Sequence, residues 1–157
     1  MDLIIRPAEL RDVPFMRRLL EGYLDFTVST LRRYSKDELE EARARFCNEL
    51  EHRLREKTFI SFVAENNGIP VGFCLLEHIK EHVTGQWEIH INNIAVEKHA
   101  MGKMVSNRIV DRIHAYAKEQ GIPVITGDIA VSNRRSMMFA IRYFKYKPEK
   151  VVLLKFL

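Results

Sequence analysis

Apolar residues recur along this chain with two periods, and the switches between them mark out short strands and longer helices. Residues 3–6 are an apolar run stopped by Pro7, the first predicted strand. Asp12 stands where an N-cap belongs and Pro14 falls in the first helical turn. Phe15, Leu19, Leu20 and Tyr23 then follow at helical spacing. Ser35 and Glu38 have the Ser-x-x-Glu spacing of a capping box. Behind it Leu39, Ala42, Phe46, Leu50 and Leu54 recur every three or four residues, one apolar face opposite a charged one. Residues 58–65 are β-branched and aromatic, a strand, and Asn66-Asn67-Gly68 is a hairpin turn into a partner strand over 69–79. Thr84-Gly85 turns the chain again into a strand over 87–96.

A long helix is predicted over 104–120. Val105, Ile109, Ile113 and Tyr116 form its buried stripe and Gly121 its stop. Residues 124–131 read as a strand. Following a strand–helix unit, it runs parallel to 87–96 with a right-handed crossover. Asn133 starts a last helix reaching residue 144, and residues 151–156 close the chain as a strand. The predicted fold is α/β, a mixed sheet with helices on it in the order β-α-α-β-β-β-α-β-α-β. Residues 1–157 form one domain, a length that buries a core without staples.

Composition narrows the function classes. Apolar residues make up 46% and charged residues 29%, ordinary for a soluble globular protein. No apolar run approaches the ~20 residues that span a bilayer, and residues 1–10 show no signal peptide, so the expected location is cytoplasmic, with no membrane partner. Cys47 and Cys74 are then expected as reduced thiols without a catalytic role. A net charge of +4 suits an anionic ligand. The basic residues are too dispersed to point to nucleic acid.

The chemistry concentrates between Trp87 and Gly121. A strand passes through a basic loop around Gly102 into a helix N-terminus, whose unpaired N–H groups and dipole suit a phosphate. On the strand, Glu88, His90 and Asn92 alternate and so project to one face. Three polar positions on one face of a central strand mark a polar cleft. His90, whose ordinary pKa lies near neutrality, is the first choice for a base and Glu88 the second. The other reading of His90 is a satisfied structural histidine. The pairs Glu77-His78 and Glu81-His82 raise a metal reading, with His78 near the pairing level of His90 and Ile91. No compact ligand spacing supports it, and no metal is expected.

Four stretches in this order resemble the GNAT acetyltransferase superfamily: IIRPAELRDVPFMRRLL, FVAENNGIPVGFCLLE, INNIAVEKHAMGKMVSNRIVDRIHAYAKEQG and VSNRRSMMFAIRYFKYKPEKVVLLKFL. The resemblance implies an acyl-CoA cleft where the strands at 87–96 and 124–131 splay apart. It implies that Ile94, Ala95 and Val96 hold the pantetheine arm, with the backbone of Ile94 and Val96 pairing to it like an added strand. The pyrophosphate would rest on the N–H groups of Met101, Gly102, Lys103, Met104, Val105 and Ser106, and Asn133 would bond near the cofactor arm. The chain departs from the family pattern at three places. Met101 replaces a Gln or Arg, Met104 replaces the first motif glycine, and Ala140 stands where many members carry a tyrosine that protonates the departing thiolate. Tyr143, one turn later on nearly the same helical face, and Ser136, one turn earlier, are the substitutes, with a packed core role the other reading of Tyr143.

The resemblance therefore implies direct transfer of acetyl from acetyl-CoA, or another acyl-CoA, to an amine of a small molecule or peptide. A homodimer, common among relatives, stays open. The alternative is an acyl-CoA-binding or regulatory module of the same fold with little catalysis.

Overall fold

A computed structural model describes residues 2–23 and 29–155. Five strands form one sheet in the order β1-β2-β3-β4-β5: β1 (Leu3–Pro7), β2 (Ile60–Asn66), β3 (Ile69–Lys80), β4 (Trp87–Val96) and β5 (Val124–Gly127). The first three junctions are antiparallel; β4 and β5 run parallel. The helices are α1 (Val13–Glu21), α2 (Lys36–Arg55), α3 (Val105–Glu119) and α4 (Arg134–Arg142). The mixed α/β class holds.

The pleat of the sheet sorts side chains into two cores. Val63, Phe73, Leu75 and Ala95 meet Met16, Leu19 and Leu20 of α1 and Leu50 of α2 on one face. Phe62, Cys74, Leu76 and Ile89 meet Val105, Ile109 and Ile113 of α3 on the other. Ser35 caps α2 as its sequence demands. Ser35 Oγ accepts from the Glu38 N–H at 3.2 Å while the Ser35 N–H donates to Glu38 Oε2 at 2.7 Å.

Several expectations change. Asp12 does not cap α1 with its side chain. Its buried carboxylate receives both terminal nitrogens of Arg6, at 2.7 and 2.9 Å, and the Glu9 N–H at 2.8 Å, which pins β1 to α1. On α1, Val13 and Met16 are buried while Phe15 and Tyr23 are half-buried; on α2, Cys47 is buried and Ala42 exposed. In α3, Val110 and Ala117 complete the stripe, and Tyr116, half-buried, packs against the same core edge-on to Phe62 while also stacking on His78. The strand predicted over 58–65 begins at Ile60, and that predicted over 124–131 ends at Gly127, because the chain turns there toward the start of α4.

The closing strand is absent over residues 151–155; Phe156, its predicted end, lies outside the described residues. Val151, Val152 and Leu153 are 84, 80 and 88% exposed. An apolar alternation becomes a strand only with a ladder partner and a face to bury, and this segment has neither here.

Candidate functional site

Between β3 and β4 the register slips by one. Leu76 faces Ile91 and Leu75 faces Asn93, so Asn92 is an extra, bulged residue. The bulge is held by side chains. Asn92 Nδ2 donates to Glu77 Oε2 at 2.8 Å, and Arg53 of α2 donates to the other oxygen of Glu77. Glu77 sits directly across from His90. On the other side of β4, His90 pairs with Thr126, and its Nδ1 lies 3.1 Å from Thr126 Oγ1. Glu88 shares this face, and Glu88 is 8% exposed. His90, Glu88, Glu77 and Asn92 therefore converge on the face that α1 and α2 cover.

His78 pairs with Ile89, not at the level of His90, and turns to the opposite face, where Tyr116 Oη lies 3.1 Å from its Nε2. His78 and His90 thus stand on opposite faces of the sheet. Among the described residues no group of three His, Cys, Asp or Glu is arranged to hold an ion. Burial pushes the thiol of Cys74 up to about 12 and that of Cys47 up as well, the opposite of an activated nucleophile.

Beyond the bulge, β4 and β5 part. Their pairing ends at Ile91 and Gly127, whereas β4 continues to Val96. The Glu97 N–H donates to the Val71 carbonyl at 2.8 Å, so by the alternation of an antiparallel ladder Ala95 also turns its backbone to β3. Ile94 and Val96 then turn theirs to the opening. Consistent with this, Val96 C=O accepts from Tyr23 Oη at 2.6 Å. Tyr23 is a residue that periodicity assigned to the core; only the tertiary fold brings its hydroxyl to this open edge. Burial pushes its phenol pKa up, and the nearby Glu97 adds to the rise.

The loop after β4 makes a single 3₁₀ turn, Lys98–Ala100, anchored by buried Ala100, and delivers the chain to α3. Gly102 has φ +76° and Met104 φ +62°, so Met104 occupies the left-handed region that favours glycine. Its side chain is 61% exposed and does not fold into the core. No side chain caps α3. Its first-turn N–H groups are therefore left for an anion, with Lys103 beside them. Val105 is buried and offers only its backbone.

Asn133 is the N-cap of α4, its Oδ1 accepting from the Ser136 N–H at 3.2 Å. The charge of Arg135, two residues on, works to lower the Tyr23 phenol pKa, against the larger rise from burial. Ala140 and Ser136 lie within α4. Tyr143 follows its last turn, is 66% exposed and packs only its ring on Phe139, with centroids 4.8 Å apart. It is not a core residue.

The family described as "Acetyltransferase (GNAT) family" matches residues 18–145. Among curated proteins none matches the chain. Among solved structures, a GCN5-related N-acetyltransferase from Ralstonia eutropha JMP134 superposes with TM-score 0.77 at 16% identity, covering 98% of both chains. A ribosomal-protein-alanine N-acetyltransferase from Brucella melitensis biovar Abortus 2308 gives 0.71 at 19% identity, covering 98% of this chain and 99% of that one. A predicted acetyltransferase from Clostridium acetobutylicum, solved with acetyl-CoA, gives 0.70 at 14% identity, covering 98% and 95%.

Proposed function

The chain belongs to the GNAT acetyltransferase family, and from that premise we propose that it transfers an acetyl group from acetyl-CoA to an amine. The observation that carries the reading is the opening of the sheet. The backbone of Ile94 and Val96 faces a gap that β5 vacates after Gly127, directly ahead of an uncapped helix N-terminus. The gap fits an extended pantetheine arm bonded to Ile94 and Val96, past Ala95. The helix start fits the pyrophosphate on the N–H groups of Gly102, Met104, Val105 and Ser106; those expected of Met101 and Lys103 instead donate to the Lys98 and Ala100 carbonyls, both at 3.3 Å. Asn133, the N-cap of α4, would bond near the cofactor arm.

The acceptor amine enters on the face of Glu88, His90 and Asn92. It must lose a proton to attack, and His90, oriented by Thr126, takes it directly or through a water. The nitrogen bonds the thioester carbon, backbone N–H groups of β4 stabilise the oxyanion that develops, and the carbon–sulfur bond breaks. The thiolate then takes a proton. Two phenols are candidates, Tyr143 and Tyr23. Tyr23 is favoured because its hydroxyl already sits at the β4 opening, whereas Tyr143 is exposed beyond α4. We place the reaction in the cytoplasm, where Cys47 and Cys74 stay free. No described helix is long and apolar enough to cross a membrane.

Thioester consumption with a panel of amines tests the reading. We expect turnover that His90→Ala lowers by about 10²–10⁴-fold, with acetyl-CoA binding retained. Binding without turnover on any amine would favour a regulatory acyl-CoA-binding module, the reading that the altered loop at Met101 and Met104 supports.

A further inference from the structure

Strand β4 carries apolar residues at Ile89, Ile91, Ile94 and Val96 that all pack on the core shared with α3, whereas Ala95 belongs to the core shared with α1 and α2. Their spacing runs two, three, two. A strand of period two can set all four on one face only by taking in one extra residue between Ile91 and Ile94. Without it Asn93 would stand opposite Cys74, inside the α3 core, and Ile94 would stand opposite Phe73 on the other face. The apolar pattern therefore requires a bulge but does not say where. Residues 92 and 93 are both asparagine, and a bulge at either keeps Leu76 opposite Ile91 and Cys74 opposite Ile94. In the structure Asn93 pairs with Leu75, and Asn92 is the extra residue.

Glu77 separates the two asparagines. Its Oε2 accepts from Asn92 Nδ2 at 2.8 Å, and its Oε1 accepts from Arg53 Nη2. Arg53 is itself fixed at both ends. Its carbonyl accepts from the N–H groups of Thr58 and Phe59 at 3.0 and 3.2 Å, and its guanidinium lies 3.8 Å from the ring centroid of buried Phe59. We infer that Arg53 and Glu77 are positioning residues: by holding the bulge at Asn92 they shape the stretch of β4 between the base at His90 and the arm-binding backbone at Ile94. The inference rests on the acyl-transfer reading above. β5 pairs no further than Ile91, so residues 92 and 93 border the same opening. The extra residue is the one whose backbone leaves the ladder. A bulge moved by one residue would change which backbone groups stand between base and arm, while His90 and residues 94–96 stay in register. The effect of the clamp therefore falls on kcat and not on cofactor affinity.

The test follows transfer from acetyl-CoA to the amine of the panel that turns over fastest, in Arg53→Met, Arg53→Lys and Asn92→Ala. We expect Arg53→Met to lower kcat by about tenfold or more, while calorimetric affinity for acetyl-CoA stays within about twofold of the parent. Arg53→Lys keeps a cation beside Glu77 and should recover part of the rate; the rest depends on the planar guanidinium. Arg53→Met combined with Asn92→Ala should be no slower than the slower single variant, because both remove one clamp. The side-chain amide of Asn92, identified in NMR spectra by its loss in Asn92→Ala, gives a readout without turnover. It should shift in Arg53→Met and move back toward its parent position in Arg53→Lys. Glu77→Gln, which keeps the side-chain volume, should show the same loss of kcat and the same shift, and it replaces Arg53→Met if thermal melting shows that variant unfolded. An unchanged kcat, a loss confined to acetyl-CoA affinity, losses that multiply in the double variant, or an unmoved Asn92 amide would each overturn the inference and leave acyl transfer standing. A parent protein that turns over no amine would overturn the acyl-transfer reading, and this inference with it.

Discussion

Asp12 shows how one residue changes meaning between sequence and structure. Burial works to raise its pKa, but the bonds from Arg6 and from the Glu9 N–H, with the charge of Arg6, outweigh it and hold the carboxyl below its ordinary value of 3.8. A folded-state pKa below the unfolded one contributes stability that is fully present above pH 3.8 and is lost as pH falls through the folded value. Removing the carboxylate leaves Arg6 half-paired, so Asp12→Ala should cost about 3 kcal/mol at pH 7 in denaturant unfolding. The deficit should shrink in acid, where the parent protein loses the same interaction. Tyr23 makes a second prediction. Its phenol pKa lies above the ordinary 10.0, so the group stays protonated, and competent to donate, throughout the physiological range. Tyr23→Phe should lower kcat by about 10²-fold or more while acetyl-CoA still binds. A loss confined to acetyl-CoA affinity would make Tyr23 a binding residue instead.

At the scale of elements, the β4–loop–α3 unit sets the site, and two positions test it. Gly72 faces Val96, and a Cβ there would meet Ala95 O at 3.0 Å and methyl groups of Val105 and Val96 at 3.2 Å. The carbonyl cannot yield without moving β4. Gly72→Ala should therefore destabilise the fold by about 1–3 kcal/mol and weaken acetyl-CoA binding together, as read by thermal melting and calorimetry. Met104 offers the reverse case. Its left-handed conformation costs about 1–2 kcal/mol, which glycine would relieve at an entropic cost of about 0.5–1 kcal/mol. Met104→Gly should thus change stability little and tighten acetyl-CoA binding severalfold by clearing the approach to the helix start. Weaker binding would mean that the methionine contributes contacts of its own.

Across the whole molecule, what was legible in the sequence was what local rules decide. The Ser35 cap, the Asn67-Gly68 turn and the span of Trp87–Val96 follow from spacing and turn chemistry, and the shared face of Glu88, His90 and Asn92 follows from the strand period. What depended on contacts distant in sequence was not legible. No period announces that Arg53 and Glu77 hold the Asn92 bulge, that Tyr23 reaches Val96 across 73 residues, or that His78 turns away from His90. The closing strand failed for the same reason: β propensity over residues 151–155 is local, but a ladder partner is not. The net charge of +4 and the uncapped start of α3 together predict acetyl-CoA binding that weakens as salt rises. If the opening between β4 and β5 is an acyl-CoA cleft, acetyl-CoA titrated into the protein in a calorimeter binds there. Saturable binding of one molecule per chain is expected. No heat of binding at millimolar acetyl-CoA would contradict it.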